Sequence, residues 1–227
     1  MSLHRSRNSW CGKLSVGAGV GEMNHFISRR QSLCGLAALA AAPLSGCGTW
    51  INYEDIGSGD LKGTVRVDWV GEDKFIYRKT SDPLSFRPSF MKIPIVPDDM
   101  FTDGGSIPRV FWGVPGLSPW GLGPAYVIHD WLFVVHRCNP PNVPDEVRNI
   151  TFQQSALILG EIGKALIEHG LVQHNMLEAI VWAVRTRYAE GLWDQPGTPE
   201  DCATPRLLKS VRGKTVVNFS IPPRTRR

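Results

Sequence analysis

Apolar and polar residues alternate differently in the two halves of this chain, short and strand-like first, then helical. Val65, Val67 and Trp69 alternate with Arg66 and Asp68, a period of two that predicts a strand with one buried face. Phe75-Ile76-Tyr77 and Met91-Lys92-Ile93 are further candidate strands, separated by Gly71-Glu72-Asp73 and by Pro-rich turns. Pro83, Pro88, Pro94 and Pro97 confine these pieces to edges or short lengths, because proline has no amide hydrogen for a ladder.

After Gly105 the period lengthens. Ser106-Ile107-Pro108 has the form of an N-cap followed by an early-turn proline, which predicts a short helix through Phe111 and Trp112. Gly113 to Gly123 reads as a loop, and Pro124 opens a helix to about His136. Phe152, Ala156, Leu159, Ile162 and Leu166 recur at three- and four-residue spacing, predicting a helix from Asp145 to His169 that stops at Gly170. Leu177, Ile180, Val181, Val184 and Tyr188 mark another from Asn175 to Glu190, ended by Gly191. The expected fold is α+β in a single domain: a small antiparallel sheet followed by three main helices.

Composition changes little in that picture. Apolar residues make up 42% and charged residues 20%, which describes a folded chain and not a disordered one. The net charge is +4, unevenly placed: after Asp201 there is no acidic residue, while Arg206, Lys209, Arg212, Lys214, Arg224, Arg226 and Arg227 are basic. This predicts a solvated, frayed tail that can meet anionic lipid; no nucleic-acid partner is expected, and protein partners are not readable. Of the five cysteines no two have C-x-x-C spacing, which argues against a thiolate metal site.

The chemistry is concentrated between Phe101 and Leu132, in Asp103, Ser106, Arg109, His129 and Asp130. His129 and Asp130 are the only strongly polar residues in PAYVIHDWLFVV, Pro124 to Val135. A helix apolar on all sides is buried, and this one is too short to span a membrane. Buried charge needs compensation. Arg109 is the natural bidentate partner for Asp130, and Asp103 the natural partner for His129. Three roles can use such a cluster. His129 is a general base oriented by Asp103, activating water or Ser106; or His129 with Asp103 or Asp130 holds a divalent metal; or the network locks sheet to helix without chemistry.

Familiar catalytic signatures are absent. There is no histidine between Cys47 and His129, as an H…HD…D phosphohydrolase needs, and no H-E-x-x-H. Gly104-Gly105-Ser106-Ile107-Pro108 fails the nucleophile-elbow pattern at its last position. Gly160-Glu161-Ile162-Gly163-Lys164 lacks P-loop spacing. The cysteine frame and calcium loop of secreted phospholipases, which also carry an H-D pair on a helix, are missing as well. His136 lies about 10 Å along the helix from His129, too far to share a metal. His169 and His174 read as a helix-end charge and a surface residue.

The N-terminal region reads as an export address. Ser28-Arg29-Arg30-Gln31-Ser32-Leu33 has the twin-arginine pattern, followed by the apolar run Cys34 to Ala42. Leu44-Ser45-Gly46-Cys47 then resembles the lipobox of bacterial lipoproteins, in which the cysteine is lipidated and the chain is cut before it. The expected organisation is a signal region over 1–46 (with Met23 as an alternative start), a lipidated tether over 47–63, a globular domain over 64–193 and a basic tail over 194–227. Cys47 would tie the protein to the membrane facing the periplasm. In that oxidising space Cys138 and Cys202 are left as a disulfide pair.

Phe101-Thr102-Asp103-Gly104-Gly105-Ser106-Ile107-Pro108-Arg109, with Phe111-Trp112 and then Ile128-His129-Asp130-Trp131-Leu132, resembles the phage and bacterial family called domain of unknown function 1353. Its pattern is T-D-G-A-S-I-P-R…W followed by H-D-x-L-Y, and the likeness runs from about Lys62 to Trp193. Phe133 stands where that pattern has tyrosine, and Asn149 where an acidic residue is expected. The resemblance implies a shared fold and site but carries no assigned activity.

Overall fold

β2 (Thr64–Gly71) is a central strand whose two neighbours come from opposite ends of the chain. The computed structural model describes residues 51–71, 74–105, 118, 120–173 and 177–224, all within one compact unit, Gly46–Arg227. On one side β2 pairs antiparallel with β3 (Lys74–Tyr77), and β3 with β5 (Met100–Thr102). On the other side it pairs antiparallel with β6 (Lys214–Ser220). A separate two-stranded sheet joins β1 (Asp60–Lys62) to β4 (Ser85–Arg87). The described helices are α1 (Gly123–Cys138), α2 (Asp145–Arg148), α3 (Phe152–Glu168), α4 (Leu177–Ala183), α5 (Arg187–Trp193) and α6 (Pro205–Ser210). The fold is α+β with a small antiparallel sheet. Val65, Val67, Tyr77 and Met100 from the sheet, Ile128 and Leu132 from α1, and Ile158, Leu159 and Ile162 from α3 belong to one apolar core.

The strand pattern holds only in part. Val65 and Val67 are buried, but Asp68 is also buried and Trp69 is 45% exposed. Between Val67 and Asp68 the register against β6 slips, with Val216 as the extra residue, and such a bulge twists the ladder locally. Met91-Lys92-Ile93 is not a strand; it bends between Pro88 and Pro94, with the Met91 amide donating to the Pro88 carbonyl. Prolines that cannot enter a ladder turn the chain there, and Ile95 makes an isolated bridge to Phe86 instead.

Two long predicted helices are each broken by a cap. Asp145–Arg148 is a single turn, and α3 starts afresh after Thr151. Thr151 Oγ1 accepts from the Gln154 amide (3.2 Å) while Gln154 Oε1 accepts from the Thr151 amide (2.9 Å), a reciprocal capping box. The third predicted helix splits into α4 and α5, the second capped by Thr186, whose hydroxyl accepts from the Ala189 amide. Gly191 lies inside α5 instead of ending it, and Tyr188 is 78% exposed instead of in the core. The expected start at Asn175 and the short helix from Ser106 to Trp112 lie outside the described residues.

The described parts of the expected tether and tail, 51–63 and 194–224, pack into the fold. From Ile51 onward the chain packs on the core: a 3-10 turn spans Tyr53–Asp55, and Ile56 and Leu61 are buried. The Tyr53 amide donates to Glu178 Oε1 (2.7 Å) and Lys164 Nζ to the Ile56 carbonyl (2.6 Å), which staples this segment to α3 and α4. At the other end α6 buries Leu208, and β6 runs along β2 from Trp69↔Lys214 to Thr64↔Ser220. Arg206 and Lys209 therefore lie in a helix and Lys214 in a strand, with Arg212 between them, and these residues do not form a frayed end.

Cys138 and Cys202 are joined by a disulfide that closes a separation of 64 residues. Arg137 Nη1 lies 3.7 Å from Asp201 Oδ2 beside it, so the segment before α6 is held to the end of α1 twice. Replacing both cysteines by serine should cost about 2 kcal/mol in denaturant unfolding, at the low end for such a loop because the β6 ladder still holds the segment. The parent protein should show no reactive thiol at Cys138 or Cys202 before reduction. Two free thiols, or no loss of stability, would contradict the pairing.

Candidate functional site

The site is built where the end of β5 meets the middle of α1. Period two along β5 buries Thr102 and turns Asp103 outward. Gly104 follows at φ +78°, a left-handed conformation that glycine adopts without a Cβ clash. Its amide donates to Thr102 Oγ1 (3.1 Å), and that hydroxyl donates to Asp130 Oδ2 (2.7 Å). Gly105 then passes close over the Tyr126 ring: a Cβ there would lie 2.8 Å from Cζ. The two glycines allow the turn to sit against α1.

Along α1, Tyr126, Asp130, Phe133 and Arg137 recur at spacings of four, three and four, and so share a face. His129 lies beside that face, its ring centroid 5.1 Å from that of Phe133. Phe133 in turn meets Trp193 edge-on at 4.9 Å and carries the Arg137 guanidinium 4.8 Å from its centroid. His136, exposed, stacks on the buried Trp193 at 4.3 Å and is no part of the cluster.

Three polar groups on this helix are strongly perturbed. His129 and Asp130 are half-buried. Burial lowers the His129 imidazole from its usual value to about 4, so the ring is neutral at pH 7. Its Nε2 is buried and has no hydrogen-bond partner. Asp130 is raised well above the usual carboxylate range, first by burial and next by the Asp103 charge. The Thr102 hydrogen bond and the Arg137 charge oppose that shift, while Asp201 adds to it. Tyr126 is raised as well, by burial and then by the Asp130 charge, and its hydroxyl also lacks a partner.

The expected pairings differ from this geometry. Among the described residues no hydrogen bond joins Asp103 to His129; the Asp103 charge acts on Asp130 instead, and the hydrogen bond to Asp130 comes from Thr102. The reason is the turn, which presents Thr102 inward and Asp103 outward. Ser106 and Arg109 lie outside the described residues. Among the described residues, the guanidinium that acts on Asp130 is that of Arg137, two turns along its own helix. Thr102, Tyr126 and Arg137 were not singled out by sequence, although the 126-130-137 spacing was available.

No group of three His, Cys, Asp or Glu among the described residues is arranged to hold a metal ion. The expected divalent metal on His129 with Asp103 or Asp130 would thus have two protein ligands from this set. His169 is buried at the C-terminal cap of α3, not a free helix-end charge, and its Nδ1 lacks a partner; His174 lies outside the described residues. No family model, curated protein or solved structure matches this chain.

Proposed function

We propose that this protein is a hydrolase of the bacterial cell envelope, held to the membrane by lipid on Cys47 and acting through His129 and Asp130. The observation that carries the chemistry is a neutral imidazole with a buried, unpartnered Nε2 beside a carboxyl group raised by burial and by Asp103. The raised carboxyl of Asp130 suits an acid at neutral pH, and the neutral His129 ring can accept a proton there as a weaker base than a free histidine. Nε2 of His129 takes a proton from the attacking water, and Asp130 gives its proton to the leaving group. Thr102 and Asp103 tune Asp130. The export reading rests on Ser28 to Cys47, and relatedness to domain of unknown function 1353 on the Phe101–Arg109 and Ile128–Leu132 residues. Among the described residues no helix is long and apolar enough to cross a membrane. Exposed Arg206, Lys209, Arg212 and Lys214 would face anionic headgroups.

A second reading makes the cluster architectural, within a non-catalytic, phage-derived or envelope binding module. The Gly104–Thr102–Asp130 chain of hydrogen bonds favours it, since that chain ties strand to helix. The two separate on one set of proteins: the full chain, His129→Gln and Asp130→Asn, assayed on chromogenic carboxylic esters, phosphoesters and amides. Catalysis predicts turnover by the parent and a loss of about 100-fold or more in kcat/KM for each variant with folding retained. Absence of turnover by the parent, with His129→Gln melting far below it, would leave the architectural reading standing.

A further inference from the structure

We infer that a small pocket between the 53–57 segment, α3 and α4, remote in sequence from the α1 cluster, binds a primary alkylammonium group. Glu161 lies in this pocket, 4% exposed, and no ion pair reaches it among the described residues. A carboxylate so far from water needs compensation, and among the described residues its hydrogen-bond partners are the Ser89 amide (2.7 Å to Oε2) and hydroxyl (2.5 Å to Oε1). Each oxygen of a carboxylate accepts about two hydrogen bonds, so half its capacity is unused. Lys164, one turn along α3, directs its ammonium to the carbonyls of Ile56 and Tyr53 and over the Tyr53 ring.

The cavity measures about 230 Å³, suited to a side-chain-sized ligand. Ile56, Leu157 and Val181 supply apolar lining, and the exposed Asp55 is the second acidic residue on it. Gly57 makes room for the carboxylate: a Cβ there would fall 2.4 Å from Glu161 Oε1. An anion fixed by two donors, apolar walls and a second carboxylate at the edge form a complement to a cationic head on a short aliphatic stem. A neutral ligand would leave the Glu161 charge uncompensated, and an anion would oppose it.

The test is a titration of the 15N-labelled full chain with n-butylammonium chloride, with 1-butanol as the uncharged control. Saturable shifts at the Ser89, Gly57 and Gly160 amides with butylammonium, at least tenfold weaker with butanol, support the site. Glu161→Gln should abolish the preference for the charged probe. Should that variant fail to fold, Asp55→Asn, at an exposed position, decides: a threefold or greater weakening supports the site, and unchanged affinity overturns it. Equal response to both probes, or none to butylammonium, also overturns it.

Discussion

Arg78→Met should lower the unfolding free energy by about 3–5 kcal/mol, the cost of leaving a buried carboxylate without its cation. Asp68 and Arg78 face each other across β2 and β3, with side chains only 6% and 12% exposed. Arg78 Nε donates to Asp68 Oδ2 at 3.0 Å, and its two terminal nitrogens donate to the carbonyls of Leu208 and Val211, each at 2.7 Å. Thr215 Oγ1 donates to the other carboxylate oxygen at 2.7 Å, with Arg66 Nε at 3.4 Å. Burial pushes the Asp68 carboxyl up, but the Thr215 and Arg78 hydrogen bonds and the Arg66 charge outweigh it and hold the group below its usual value. Its stabilising effect is therefore present above the unfolded carboxylate range and is lost as pH falls through the lowered folded value. One guanidinium thus joins the central sheet to the C-terminal end of α6. Removing it leaves Asp68 only Thr215 and the more exposed Arg66, and frees two carbonyls at once. Urea unfolding at pH 7 measures the loss, and Asp68→Asn combined with Arg78→Met should recover part of it. A loss under 1 kcal/mol for Arg78→Met alone would show that the network is not what holds the C-terminal segment.

That network also marks where sequence reading stopped. α1 was legible because Pro124 opens an apolar run interrupted only by His129 and Asp130, and α3 because its period is regular. The tail was not. In β6 every residue but Val217 is exposed, so the strand carries little apolar signature of its own and owes its form to register with β2. Nothing in the sequence marks Arg78, since two of its partners are main-chain carbonyls more than 120 residues away. At the site, sequence located the polar residues of α1 but assigned Asp103 to the wrong neighbour. Whether a turn residue points in or out depends on where the strand ends, and β5 ends at Thr102. The breaks at Thr151 and Thr186 were legible in principle, each threonine being a good N-cap. The apolar series from Leu177 to Tyr188 ran across the Thr186 break and masked it.

His129→Gln should remove an acid weakness from the stability curve, and Asp130→Asn should deepen it. The His129 ring is held at about 4 by burial, against about 6.5 for an unfolded histidine. As pH falls below that unfolded value the unfolded chain takes up a proton that the folded one refuses. Stability is thus lost progressively between about pH 6.5 and 4, by about 3 kcal/mol over the whole interval. Asp130 works in the opposite sense. Its raised carboxyl binds a proton in the folded state before the unfolded state does, so its penalty is largest near neutrality and is relieved as pH falls. The parent curve contains both effects. Glutamine at 129 cannot charge, so the loss between pH 6.5 and 4 should shrink by up to that amount while the pH 7 value moves less. Asparagine at 130 should raise stability at pH 7 relative to pH 4, with the histidine loss no longer offset, provided the Thr102 hydrogen bond is kept by the amide oxygen. Denaturant unfolding at half-unit steps from pH 7.5 to 4 reads both signs. A His129→Gln curve parallel to the parent would mean that the imidazole reaches water freely, and a base shielded enough to stay neutral beside Asp130 could not then be assigned to it.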